Sequence, residues 1–106
     1  MEEREYERRA AQAFEQVLDL FGEVDPDEAD VDQAGDVITI DLGAHGKVVL
    51  NTQRPARQLW LAGGTQAFHF SYEASSDRWI DEKHGGAELF ATLRELTAAA
   101  GLRLDY

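Results

Sequence analysis

Apolar residues in the first 24 positions recur at the spacing of an amphipathic helix. This stripe consists of Tyr6, Ala10, Ala13, Phe14, Val17, Phe21 and Val24. It predicts a helix over residues 2–24, which Gly22 and Pro26 help to end. The opposite side of the helix carries carboxylates spaced four residues apart, and these are Glu15, Asp19 and Glu23.

Short segments with alternating apolar and polar residues follow, and turn residues separate them. The predicted strands lie near residues 30–34 and at residues 37–42, 47–52, 58–62, 67–72 and 78–81. Their short connections favour antiparallel pairing between segments that are neighbours in the sequence. A second amphipathic helix is predicted over residues 87–100, and Gly101 suits its C-terminal cap.

The order of helix, strands and helix predicts one domain over residues 1–106 with an α/β (α+β) two-layer sandwich fold. The simplest packing places the N- and C-terminal helices on one face of a five- to six-stranded antiparallel sheet. The other sheet face then has no covering layer, and we call it the open face. A chain of 106 residues is long enough for one such core.

Side-chain alternation indicates which residues lie on the open face. If the aliphatic residues of segments 47–52 and 58–62 face the helices, the outward side chains are Asn51, Gln53, Gln58 and Trp60. An exposed tryptophan among amides is typical of a protein-binding hot spot. The alternative is that a loop covers Trp60, since tryptophan is usually substantially buried. Trp79, in contrast, is expected in the core with Phe68 and Phe70.

The formal net charge is −11, and the acidic residues are concentrated near the N-terminus. Residues 1–32 hold 12 of the 21 acidic residues but three of the ten basic ones. A general acidic bias, as in a salt-adapted protein, would instead be spread along the chain. This charge makes nucleic acids and anionic membranes poor partners, and it favours cations and basic protein surfaces.

Several classes of function lack the residues that they need. The absence of cysteine excludes disulfides, thiolate metal sites and thiol catalysis by this chain. His45, His69 and His84 belong to no catalytic pattern, and no phosphate-binding glycine loop is present. We therefore expect a binding protein rather than an enzyme. The acidic first residues are unlike a signal peptide, and no apolar run could span a membrane, which predicts a cytoplasmic protein.

Residues 51–61 read Asn-Thr-Gln-Arg-Pro-Ala-Arg-Gln-Leu-Trp-Leu. This segment resembles the frataxin family signature, N-x-Q-x-P-x-x-Q-aliphatic-W-aliphatic. Residues 6–10 are similar to the start of the family's first helix, and residues 37–40 to its second strand. Residues 68–70 are similar to the fifth strand of the bacterial members. The resemblance covers essentially the whole chain and agrees with the predicted order of elements.

The resemblance implies an iron-binding regulator of iron–sulfur cluster assembly that docks on a cysteine desulfurase and on the cluster scaffold protein. Family members bind ferrous and ferric iron through exposed acids of the first helix and first strand. The corresponding residues here form an acidic ridge, which consists of Asp19, Glu23, Asp25, Asp27, Glu28, Asp30 and Asp32. The implied partner-binding residues form a motif surface, which consists of Asn51, Gln53, Gln58 and Trp60. Some members are credited with ferroxidase activity, so the resemblance also allows weak iron oxidation.

Carboxylate oxygens without histidine or cysteine suit hard cations, which include iron, calcium, magnesium and manganese. We expect weak iron binding at several positions, with other divalent cations as competitors. An EF-hand loop starting at Asp25 is excluded, because its sixth position is Asp30 rather than glycine. We also expect a monomer, with an iron-dependent oligomer as the alternative. The rival function is a metal-independent acidic interaction module or inhibitor, which would use the ridge and Trp60 only to bind protein.

Overall fold

The computed structural model describes residues 1–102 and contains two helices on one seven-stranded antiparallel sheet. The helices are α1 (Glu3–Leu20) and α2 (Leu89–Ala99). The strands are β1 (Asp30–Ala34), β2 (Val37–Asp41), β3 (Lys47–Gln53), β4 (Gln58–Gly63), β5 (Gln66–Glu73), β6 (Arg78–Asp81) and β7 (Ala87–Glu88). Neighbours in the sequence are neighbours in the sheet, so β1 and β7 form its edges. The predicted two-layer sandwich is confirmed, with seven strands rather than five or six.

Helix α1 buries the predicted apolar stripe but ends earlier than the predicted residue 24. Its last helical residue is Leu20, and the backbone N–H groups of Phe21 and Gly22 donate to carbonyl oxygens only three residues back. Phe21 is nevertheless buried, and Val24 packs against the core from the turn. The apolar spacing therefore continues past the end of the helix, because the turn follows the same side of the core.

Helix α2 begins at Leu89 because the carboxylate of Glu88 caps it. The two carboxylate oxygens accept hydrogen bonds from the backbone N–H groups of Phe90 and Ala91, at 2.8 and 3.0 Å. The predicted helical start at residue 87 was wrong, since Ala87 and Glu88 pair with β6 as a two-residue strand. The helix ends at Ala99, and Gly101, with a φ of +84°, lies in the Schellman cap that follows, which confirms its predicted capping role.

The core lies between the helices and one face of the sheet. Alternate residues of the central strands point into it, and Ile38, Leu50 and Leu59 are almost completely buried. The prediction for Trp79 is confirmed, since it is buried in the same cluster as Phe68 and Phe70. The remaining residues of these strands point away from the helices and form the open face.

Candidate functional site

Strand register aligns four side chains across the middle of the open face. Val37 lies opposite Asn51, Asn51 opposite Trp60, and Trp60 opposite His69. In the next row, Gln53 lies opposite Gln58. The structure thus brings together all four residues of the predicted motif surface. His69 also lies on this face, a position that its place between the core residues Phe68 and Phe70 could have predicted.

Trp60 is half-buried and lies on the open face, so the alternative in which a loop covers it does not apply. Its ring stacks on the His69 ring with centroids 4.2 Å apart and an interplanar angle of 16°. The indole Nε1–H donates to Gln58 Oε1 at 2.9 Å, and Gln58 Nε2 donates to Ser71 Oγ at 3.2 Å. These contacts fix the indole orientation and use its only hydrogen-bond donor within the protein.

Tyr6 connects helix α1 to the base of the motif surface. Its hydroxyl donates to the carbonyl oxygen of Gln58 at 2.7 Å and accepts from the backbone N–H of Gln53 at 3.2 Å. The phenol is 1% exposed, and burial raises the pKa of Tyr6 above its ordinary value. Sequence periodicity had identified Tyr6 only as part of the apolar stripe, because periodicity does not reveal where a hydroxyl points.

All seven carboxylates of the acidic ridge are exposed, and within residues 1–102 none of them forms an ion pair. Asp19 lies in the last turn of α1, which contains no basic residue. The negative end of the helix dipole therefore adds to the field of these acids. Glu23 lies in the turn after α1, so its predicted place on a helical ridge with Asp19 was wrong, because the helix has already ended.

The other ridge residues lie on two different elements. Asp25, Asp27 and Glu28 belong to the turn between α1 and β1, where Asp25 Oδ1 accepts the backbone N–H of Asp27 at 2.9 Å. Asp30 and Asp32 belong to β1. In the described part of the chain, no three acidic or histidine side chains converge into a group that could hold a metal ion. The donors have the right chemistry for hard cations, and their arrangement is dispersed.

A buried carboxylate on β6 stabilises the sheet behind His69. Asp81 is 2% exposed, and it accepts the backbone N–H groups of His69 and Lys83, each at 2.9 Å. It also contacts the Nδ1 atom of His84 at 2.8 Å. Burial raises the pKa of Asp81, but the hydrogen bonds from His69, His84 and Lys83 outweigh it, and the net pKa lies below the ordinary 3.8. Its position in a predicted strand gave no signal of this role.

A family model for the frataxin-like domain matches residues 1–101 of this chain. The chain belongs to the frataxin family.

Known proteins are similar to this frataxin over most of its length. The iron–sulfur cluster assembly protein CyaY of Delftia acidovorans is 33% identical over 89% of this chain and 84% of its own. The solved frataxin of Psychromonas ingrahamii superposes with a TM-score of 0.85 at 26% identity, over 99% of this chain and 97% of the other. A trimeric frataxin of Saccharomyces cerevisiae, complexed with ferrous iron, has a TM-score of 0.75 at 28% identity, over 87% and 84%.

In residues 1–102 of this frataxin, neither helix is long and apolar enough to cross a membrane. The cytoplasmic location stays a prediction.

Proposed function

We propose that this frataxin takes part in iron–sulfur cluster assembly as a regulator. In this proposal the acidic ridge binds ferrous or ferric iron weakly, and the motif surface docks on the complex of cysteine desulfurase and scaffold protein. The observation that carries the proposal is the half-exposed Trp60, oriented by Gln58 and His69 on a sheet face that no helix covers. The names of its relatives support the cluster-assembly role.

The open face has the features of a surface prepared for protein binding. An indole held by a hydrogen bond and a ring stack loses little conformational entropy when a partner packs on it. Amide side chains around it can donate and accept hydrogen bonds at the rim of a contact. Val37, which is 37% exposed, adds apolar area in the same row.

Iron binding is supported by the state of the ridge carboxylates. They are exposed and have no cationic partner in residues 1–102, and Asp19 lies in the last turn of α1, at the negative end of the helix dipole. A cation would relieve their mutual repulsion, so binding is favourable even without a preformed cage. Such a site binds weakly and selects poorly among hard cations. In this proposal the iron is cargo or effector. The yeast relative complexed with ferrous iron supports iron binding by the family.

The docking test is an affinity measurement with the desulfurase–scaffold complex. Trp60→Ala should weaken binding at least about tenfold, because a central aromatic anchor commonly contributes 2 kcal/mol or more. His45→Ala, in the exposed turn between β2 and β3, is the matched control and should bind like wild type. Equal affinity of Trp60→Ala and wild type would remove the docking proposal.

The metal test is an NMR titration with ferrous iron under anaerobic conditions, and separately with ferric iron and magnesium. The proposal expects perturbations confined to residues 15–32. The rival function, a metal-independent acidic interaction module, gains support from the dispersed arrangement of the ridge carboxylates. It expects no site-specific perturbation by any of the three cations, together with full sensitivity of docking to Trp60→Ala.

Within this proposal the protein is a binding protein and a monomer when iron is absent. If ferrous iron is oxidised no faster with the protein than in buffer alone, this result would support a binding protein without catalytic activity. Sedimentation with and without iron would detect an iron-dependent oligomer, and the yeast relative complexed with ferrous iron is a trimer.

A further inference from the structure

His84 lies in the turn after β6, and two contacts fix its ring. Its Nδ1 atom is 2.8 Å from Oδ2 of the buried Asp81, and the ring packs at a tilt against Phe68 with centroids 4.7 Å apart. Asp81 is itself held in place, because it also accepts the backbone N–H groups of His69 and Lys83. The imidazole is therefore fixed in one orientation at the surface, where 47% of the side chain is exposed.

The contact with Asp81 also determines which nitrogen of His84 is available to a ligand. The pKa of Asp81 lies below the ordinary 3.8, so its carboxylate is ionised at neutral pH and can only accept hydrogen bonds. Nδ1 must then carry the hydrogen and donate it. In the neutral imidazole this leaves a free lone pair on Nε2, the other ring nitrogen. Histidine ligands of metal ions have this arrangement, in which the second ring nitrogen donates to a carboxylate.

The groove beside His84 contains a second carboxylate. It has a volume of about 560 Å³ and lies between the start of β5, the turn after β6 and helix α2. Glu95 lines it from α2, is exposed, and forms no ion pair within residues 1–102. Thr65 and Gln66 line the same groove and offer side-chain oxygens. One imidazole, one carboxylate and two neutral oxygen donors thus border one space.

We propose that His84 and Glu95 form a second cation site, which takes a divalent ion of a late first-row transition metal, from cobalt to zinc. His84 supplies Nε2, and Glu95 supplies a carboxylate oxygen. Water, or the side-chain oxygens of Thr65 and Gln66, completes the coordination. Asp81 is a positioning residue, because it orients the imidazole and increases its basicity. With two charged or imidazole ligands rather than three, the ion keeps water ligands and is bound weakly.

The donor set distinguishes this site from the acidic ridge. The ridge offers carboxylate oxygens alone, which suit hard cations such as magnesium, whereas imidazole nitrogen suits nickel, copper and zinc. Affinity rises from ferrous iron to nickel and copper, so ferrous iron binds here more weakly than nickel. The charge of Glu95 repels an anionic ligand.

The two sites are also separated in the sheet. Strand β1, which carries two of the ridge acids, is five strand spacings from β6 in the sheet order. At the usual spacing, this distance is about 24 Å. Binding at the two sites therefore perturbs different residues and can be measured separately.

The localisation test is an NMR titration of tag-free protein with nickel, a paramagnetic ion that broadens the signals of nearby nuclei. Excess magnesium occupies the ridge carboxylates. We expect broadening at residues 65–68, 82–87 and 92–95 in wild type and its loss in His84→Ala, with residues 15–32 unaffected in both. Broadening confined to residues 15–32 would overturn the inference. Broadening around the groove that persists in His84→Ala would overturn it as well.

Nickel affinity, measured by calorimetry under the same conditions, tests the two ligands one at a time. His84→Ala should weaken binding about tenfold or more, and Glu95→Gln about fivefold. His45→Ala is the matched control, because it removes an exposed histidine that has no carboxylate contact in residues 1–102, and it should bind nickel like wild type. Equal losses in the two histidine variants would mean that any surface imidazole suffices. Wild-type affinity in Glu95→Gln would remove Glu95 from the site, and either result would contradict the proposal.

Discussion

The phenol oxygen of Tyr6 lies 2.7 Å from the carbonyl oxygen of Gln58, so helix α1 is hydrogen-bonded to the strand that carries Trp60. Gln53 and Gln58 are cross-strand partners, and the hydroxyl lies between the N–H of one and the carbonyl of the other. The buried Tyr6 hydroxyl therefore satisfies two backbone groups, one at each end of the β3–β4 connection. The helical layer in this way sets the position of residues on the opposite face of the sheet.

Tyr6→Phe should therefore destabilise the protein by about 1–2 kcal/mol, because it leaves the N–H of Gln53 and the carbonyl of Gln58 without this partner. Urea unfolding followed by fluorescence measures the effect. Tyr72→Phe is the matched control, since the Tyr72 hydroxyl bonds to the exposed Asp77 and its loss should cost less than about 0.5 kcal/mol. Equal losses for the two variants would show that the Tyr6 bridge contributes no more than a surface hydrogen bond.

Most of the fold could be predicted from the local pattern of apolar and polar residues. The wrong predictions fall where tertiary contacts override that pattern. The six longer strands were located within about two residues, and alternation was the clearest signal for β2, β3, β4 and β5, in which buried residues alternate with more exposed ones. Strand β7 was missed, since two residues are too short to show a period. The end of α1 was placed too late because Phe21 stays buried beyond the helix.

The candidate site was predictable in composition but not in arrangement. The motif identified Trp60 and its three amides, and charge counting identified the ridge. Neither could reveal that Asp32 projects on the same side as Trp60, because this depends on the register of β1 against β2. The stack of His69 on Trp60 likewise requires the pairing of β4 with β5.

A second prediction concerns acid stability and Asp81. Its pKa is lower in the folded protein than the ordinary 3.8, so its ionised form stabilises the fold above that value. This contribution is lost as the pH falls through the lower, folded-state pKa. Asp81→Asn should lower the free energy of unfolding by about 2 kcal/mol at neutral pH, because it replaces a buried, charged hydrogen-bond acceptor. In this variant the free energy of unfolding should also decrease less steeply than in wild type as the pH falls below about 4.

Urea unfolding at several pH values between about 2 and 7 measures both effects. Glu82→Gln, at the exposed neighbouring position, controls for the removal of one negative charge. A wild-type decline that persists unchanged in Asp81→Asn would mean that other carboxylates determine the acid sensitivity.

A third prediction concerns repulsion within the acidic ridge. Asp27→Lys should raise the melting temperature by about 2 °C at low salt, because it removes one charge from a cluster and adds an opposite one. Within residues 1–102 the carboxylate of Asp27 forms no hydrogen bond, and the hydrogen bond from its backbone N–H to Asp25 is retained in the variant. Glu95→Lys on α2 changes the net charge equally but outside the cluster, so it should give a smaller gain. Added salt should reduce the difference between the melting-temperature gains of the two variants. Equal gains at all salt concentrations would contradict a local effect.

The last prediction concerns the ring stack that orients Trp60. His69→Ala removes the ring 4.2 Å from the indole while leaving the backbone N–H that donates to Asp81. The indole then gains freedom in the unbound protein, and binding to the desulfurase–scaffold complex should weaken about three- to fivefold. His69→Phe keeps a flat ring in the stack and should restore most of the affinity. If both variants bind like wild type, the hydrogen bond to Gln58 alone orients the indole. If both weaken binding equally, the imidazole itself contacts the partner, and His69 belongs to the motif surface as a recognition residue.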